Sequence, residues 1–233
     1  WVLAMEGAYR VWQGKRAEAT LCLDRAIELS RQGGIFRRAD EAECLFISLD
    51  ILAGFHAEAL ARAARIDRSA KKRHDLQIQA WLILYNAESR LIINEVDSAL
   101  ADVDMVQPLL PSLGRPERIW AIGVEAYIRH LRGERALAQD CVERGIALIV
   151  AGQPVHSSCL GAYDRIAETA VELFRQGQGS ASARASLALA TRACAVVERA
   201  ARVFPTVRPA SIMHRASLDL LRRRHSLEAV LEK

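Results

Sequence analysis

Apolar residues recur at helical spacing along most of the chain. Met5, Tyr9 and Trp12, then Leu45, Leu49 and Leu52, then Val124, Ile128 and Leu131, each mark one face of a helix. Leu23, Ala26 and Ile27, and later Val142, Ile146 and Ile149, mark a second set of helices between them. Breaker residues separate the periodic stretches: Gly33-Gly34, the basic run at 71–74, Pro108 to Pro116, and Gly152 to Pro154. The pattern predicts helices near 2–13, 15–32, 36–53, 55–70, 76–93, 95–109, 116–132 and 134–151. Further helices are predicted near 155–176 and 181–203, and from after Arg208-Pro209 to about Arg223, with a partner beginning at Ser226.

The helices repeat. Gln13-Gly14-Lys15-Arg16-Ala17-Glu18-Ala19 aligns with Ala53-Gly54-Phe55-His56-Ala57-Glu58-Ala59. It aligns also with Ile93-Asn94-Glu95-Val96-Asp97-Ser98-Ala99 and with Arg132-Gly133-Glu134-Arg135-Ala136-Leu137-Ala138. The turn residue falls at 14, 54, 94 and 133, a period of about 40. Gly, Gly, Asn and Gly are the residues that tolerate a positive φ at a helix C-terminus. Five positions on, Ala19, Ala59, Ala99 and Ala138 supply a small contact for close helix approach. Thirteen positions before the turn stand Trp1, Trp81 and Trp120, with Glu41 as the exception. Seven before it stand Gly7, Ala87 and Ala126, with Ile47 as the exception. Met and Trp residues in phase with the apolar stripe read as core.

Each unit is thus helix, tight turn, helix. The expected fold is all-α, a right-handed α-solenoid of antiparallel helix pairs. Residues 1–233 form a single repeat domain of five hairpins plus a truncated sixth. The chain opens on Trp1 inside an amphipathic pattern and stops at Lys233 in a helix barely begun, which predicts a piece of a longer polypeptide.

The turn Gly, the Ala five residues on and Ala26 twelve residues on resemble the second half of a tetratricopeptide repeat. Pro111, seventeen after Asn94, falls where that repeat often places its terminal proline. Long-period variants of this kind resemble the helical-repeat regions of large bacterial signalling proteins, such as MalT-like and other STAND-type ATPase regulators and adenylate cyclases with ATPase modules. The stretch Ala200-Ala201-Arg202-Val203-Phe204-Pro205-Thr206-Val207-Arg208-Pro209 is similar to a segment of those proteins. The resemblance implies a non-catalytic protein-interaction or ligand-sensing module of a larger regulator.

Composition narrows the function classes. The chain is 51% hydrophobic and 6% aromatic, with 13 glycines and 6 prolines, which excludes disordered and collagen-like chains. Net charge is only +4, from 32 basic and 28 acidic residues. Lys71-Lys72-Arg73-His74 and Arg222-Arg223-Arg224-His225 concentrate positive charge. They read either as solvated helix ends or as the basis of an alternative, a nucleic-acid-binding α-solenoid. The even mixing of acids argues against nucleic acid. Cys22, Cys44, Cys141, Cys159 and Cys194 are odd in number and widely spaced, the pattern of reduced thiols in a cytoplasmic chain rather than of a disulfide frame or zinc ribbon. No apolar run reaches the length of a membrane span.

Catalytic chemistry is sparse. The chain contains no G-x-x-x-x-G-K-[ST], H-E-x-x-H or G-x-S-x-G motif. Gly177-Gln178-Gly179 lacks a preceding strand and makes a poor phosphate loop. His156-Ser157-Ser158-Cys159 offers two ligands where zinc needs at least three from protein, and reads as a helix start. Asp102 and Asp104, at i and i+2 on a helix, point apart. No enzyme activity, metal or cofactor is therefore expected of this piece.

One pattern suggests a binding surface. Four positions before the turn stand Arg10, Asp50, Arg90 and Arg129, and eight before it Glu6, Phe46, Asn86 and Glu125. Glu6–Arg10 and Glu125–Arg129 are i, i+4 pairs, predicted to lie opposite the apolar face of the first helix. In a stacked solenoid Glu6, Arg10, Asp50, Asn86, Arg90, Glu125 and Arg129 would form a charged stripe on the concave face, suited to a protein or peptide partner or to other domains of the same chain. The competing reading is a set of solvated pairs worth about 0.3–0.5 kcal/mol each. Self-association is a further possible use of the module.

Overall fold

A computed structural model describes residues 1–152, 159–178 and 182–231, and of 224–231 the backbone alone. All regular structure among the described residues is helical. The helices are α1 (Val2–Trp12), α2 (Arg16–Gln32), α3 (Phe36–Leu52), α4 (His56–Lys72), α5 (Leu76–Ile92), α6 (Val96–Val106), α7 (Arg115–Leu131), α8 (Arg135–Val150), α9 (Leu160–Gln176), α10 (Ala183–Val203) and α11 (Arg208–Leu231). Within each of two compact units successive helices pack against each other, as an all-α chain of helix pairs requires. The units are Trp1–Leu113 and Gly114–Lys233.

In the first unit α1 through α6 pack in sequence order, and the first helices also touch, α1 on α3 and α3 on α5. The links are all one motif. Gly14, Gly34, Gly54, His74 and Asn94 each adopt a positive φ, at intervals of 20 residues. At each, the turn N–H bonds back three residues and the next N–H bonds back five. Examples are Gly54 N–H to Ile51 O at 3.1 Å and Phe55 N–H to Asp50 O at 2.9 Å. This is the Schellman closure, which satisfies the last helix carbonyls. The backbone period is therefore 20, half of the sequence period. His74 holds the fourth of these turns at φ 53° without being glycine or asparagine. The basic run at 71–74 is the end of α4 and this turn.

One core cluster of the first unit joins Ala4 and Val11 on α1 to Ala19, Leu23 and Ala26 on α2 and to Ala39, Ala42, Phe46 and Leu49 on α3. The buried face of α1 is thus Ala4, Gly7, Ala8 and Val11, not the predicted Met5–Tyr9–Trp12 face, which is exposed. Small residues win because they let α2 come close: a Cβ on Gly7 would stand 2.6 Å from Leu23 Cδ2. Trp1, expected in the core, is the exposed N-cap of α1, whereas Trp120 is buried within α7. Met5, Met105 and Met213 are likewise exposed. The predicted helix at 95–109 ends earlier, at Val106, where Pro108 turns the chain into a 3-10 segment, Gln107–Ser112.

In the second unit α7 packs on α8 and α9, α9 on α10, and α11 on α9 and α10. Trp120, Ile128, Ile146, Tyr163, Ile166 and Phe174 are fully buried there. Gly123 permits the α7–α9 crossing, since a Cβ would lie 2.5 Å from Ala162 Cβ. The truncated sixth hairpin is not formed: α11 continues through 224–231 as one helix. The reason is local, because no Gly, Pro or Asn interrupts residues 210–231.

Candidate functional site

The residue four before each turn sits in the last turn of its first helix and faces the second helix of the same hairpin. Arg10 bonds Glu6 at 3.2 Å and Glu18, on α2, at 3.1 Å. Asp50 accepts from Arg62 Nε, on α4, at 3.1 Å. Arg90 donates to Asp102, on α6, at 2.8 Å and to the Ser98 carbonyl at 3.1 Å. In the second unit Arg129 pairs with Glu134 at 2.7 Å and with Glu125 at 3.5 Å. These four residues lock hairpins internally. Asp50 is buried rather than opposite the apolar face, because Arg62 reaches in to meet it.

The partner is chosen by the residue eight after the turn, which is Cys22, Arg62, Asp102 or Cys141 in successive hairpins. Where that position is charged, the pair is made there, with the signs exchanged: Asp50–Arg62 in one hairpin, Arg90–Asp102 in the next. Where it is cysteine, the arginine turns to a nearer carboxylate. This reciprocal charge at two repeat positions is a signal in the sequence that the reading by single positions passes over.

The positions eight before the turn serve different ends. Glu6 is exposed and pairs with Arg10, and Glu125 pairs with Arg129. Phe46 is buried with the Arg62 guanidinium 4.7 Å over its ring. Asn86 is half-buried, its Oδ1 enclosed and without a hydrogen-bond partner.

Other acids on α3, outside the predicted set, form a denser network. Glu43 is 3% exposed and takes Arg31, Arg62 and Arg65 at 2.7, 2.8 and 2.7 Å. Asp40 meets Arg73, and Arg37 joins Glu41 to Asp75. Burial pushes the Asp40 carboxyl above its ordinary range despite Arg73. Burial likewise pushes Asp102 up to about 6, with Arg90 pulling the other way. At the Arg129 lock, hydrogen bonds from Arg132 and Arg129 hold the Glu134 carboxyl below its usual range.

The basic runs are partly neutralised. Lys71 pairs with Asp67 at 2.6 Å, Arg73 is tied to Asp40, and Arg222 donates to Thr191 Oγ1 at 2.6 Å. Side chains of Arg224 and His225 lie outside the described residues, as do His156, Ser157, Ser158 and Gly179. Cys159 is buried, and the cysteines are free thiols. Among the described residues no group of three or more His, Cys, Asp or Glu is placed to hold a metal ion. No helix among them is long and apolar enough to cross a membrane.

What the locks leave outward is apolar. Two residues before each turn stand Trp12, Leu52, Ile92 and Leu131, which are 38%, 72%, 50% and 45% exposed. Phe55 and Ile93 add exposed apolar surface at the same tips, with the Arg16 guanidinium 4.3 Å over the Phe55 ring. No protein-family model and no curated protein matches the chain.

Proposed function

We propose that the chain is a non-catalytic, cytoplasmic protein-interaction module, the repeat portion of a larger signalling or transcription regulator of the kind its tetratricopeptide-like turns resemble. One observation carries the reading. A large apolar side chain recurs at the same point of four hairpins and is exposed in each. Repeated exposed apolar surface marks a place that a partner covers. The charged stripe is a weaker candidate, because Arg10, Asp50, Arg90 and Arg129 already have partners within their own hairpins. The nucleic-acid alternative is disfavoured by the ion pairs of Lys71 and Arg73.

A photo-crosslinking residue placed at Leu52 or Ile92 tests this in cells, with exposed Arg25 as the control position. A defined protein adduct at the tips, absent at the control, is the expected result. Adducts to RNA, or none above the control, would overturn the reading. Arg10→Glu and Arg90→Glu variants, compared for the same adduct, show whether the stripe takes part.

A further inference from the structure

Between α8 and α10, within the second unit, lies an open trough of about 610 Å³ lined by Ile146, Ala147, Val150, Ala151, Arg192, Ala195, Val196 and Arg199. Its floor is Ile146 and Val196, both buried. Its walls are exposed: Ala147 and Ala151 on one side, Ala195 on the other, with Val150 more than half exposed. The trough exists because three of these wall residues are alanines on facing helices.

Its charge is of one sign. Arg192 and Arg199 are two turns apart on one edge of α10, about 10 Å along the axis. No carboxylate lines the trough. Glu198, the one acid on α10, is engaged by Arg215 Nε at 2.6 Å. Among the described residues Arg192 makes no ion pair. Arg199 donates through Nη2 to the carbonyls of Ile149 and Gly152, at 2.8 and 3.0 Å, while its buried Nε has no partner. Apolar floor, small walls and a cationic rim without counter-charge occur together here.

We infer that this trough docks an acidic amphipathic helix of a partner protein. The apolar stripe of that helix would lie on Ile146, Val150 and Val196, and carboxylates two turns apart would meet Arg192 and Arg199. Helix-in-groove recognition needs apolar anchors at helical spacing and a complementary charged rim, and both are present. A small apolar acid fits less well, because exposed walls would leave much of it in water. The site is separate from the hairpin tips and stands independently of the reading given for them.

The test is a displayed library of amphipathic helices about four turns long, randomised over acidic, basic and neutral residues beside the apolar stripe. It is selected on the full chain and counter-selected on Ala195→Trp, which fills the trough from an exposed position. The expected clones carry Asp or Glu two turns apart. They bind the Ala195→Trp chain at least about tenfold more weakly, and the Arg192→Glu chain about tenfold more weakly as well. Ala147→Trp, on the opposite wall, repeats the block should Ala195→Trp alter the melting temperature. Clones that bind the filled and open troughs equally, clones that are basic, or clones indifferent to Arg192→Glu would each overturn the inference. Displacement of the acidic clones by dodecanoate at micromolar concentration would reassign the trough to a small carboxylate.

Discussion

The Asp102 lock makes a prediction whose sign is unusual for an ion pair. Asp102 is 1% exposed and receives Arg90 at 2.8 Å, yet its carboxyl is held near 6 against an ordinary value of 3.8. Burial raises it, and the guanidinium only partly compensates. A carboxyl with a raised folded pKa binds more protons folded than unfolded between about pH 4 and pH 6. Stability from this group is therefore present below the unfolded value and is lost as pH rises through 6. The difference between the two values corresponds to about 3 kcal/mol. Asp102→Asn keeps the shape and removes the titration, while Arg90 retains the Ser98 carbonyl at 3.1 Å. Urea unfolding of both proteins across the range isolates the group, because every other carboxylate cancels in the difference. Wild-type stability should fall by about 2.5 kcal/mol relative to the variant between pH 4 and pH 7, the remainder of the difference lying below pH 4. A difference that stays flat, or that grows in favour of wild type with rising pH, would refute the reasoning: the pair would then be stabilised by Arg90 more than it is penalised by burial.

Removing Glu43 takes one buried carboxylate from three arginines, of which Arg62 keeps Asp50. Glu43→Ala is expected to lose about 1–3 kcal/mol in urea unfolding, and Arg65→Ala, at an exposed partner, less than about 1 kcal/mol. Burial pushes the thiols of Cys141, Cys159 and Cys194 up to about 11 and that of Cys44 well above its ordinary value. Iodoacetamide at pH 8 should therefore add rapidly only at the half-buried Cys22, with four further adducts appearing in denaturant by mass spectrometry. His74 holds φ 53° in its turn, so His74→Gly should stabilise by about 0.5–1 kcal/mol. Gly54→Ala, at φ 81° with nothing within 4 Å of an added Cβ, should destabilise by about 1 kcal/mol through the backbone alone. Thermal melts of both variants check the pair.

The helices and their turns were legible because their signals are local. Gly14, Gly54, Asn94 and Gly133 mark the hairpin turns, and the phase of Ala19, Ala59, Ala99 and Ala138 marks the contact that closes each hairpin, where all four alanines are buried. The link at 71–74 was legible by its place between the helices predicted at 55–70 and 76–93, but not the positive φ of His74 within it, since the residue is neither glycine nor asparagine. The candidate site was legible by position and not by role. Arg10, Asp50, Arg90 and Arg129 do share one place in the repeat, but which partner a charge at that place takes depends on the residue twelve further on. Only the Asp50–Arg62 and Arg90–Asp102 exchange shows that dependence.

Exposure is the part of the structure that periodicity reads least well. Trp1 and Trp120 share a repeat phase, yet one is 63% exposed and the other 1%. Phase records which way a side chain points from its helix. It does not record where along the helix the side chain stands: Trp1 is the N-cap of α1, whereas Trp120 lies within α7. The same distinction separates Ile128, buried in the body of α7, from Leu131 at its tip, although both belong to one apolar stripe. An apolar residue at a repeated tip position is consistent in pattern with core and consistent in place with an interface. That is why Trp12, Leu52 and Leu131, read along the chain as part of the packing, become with Ile92 the strongest argument for a partner.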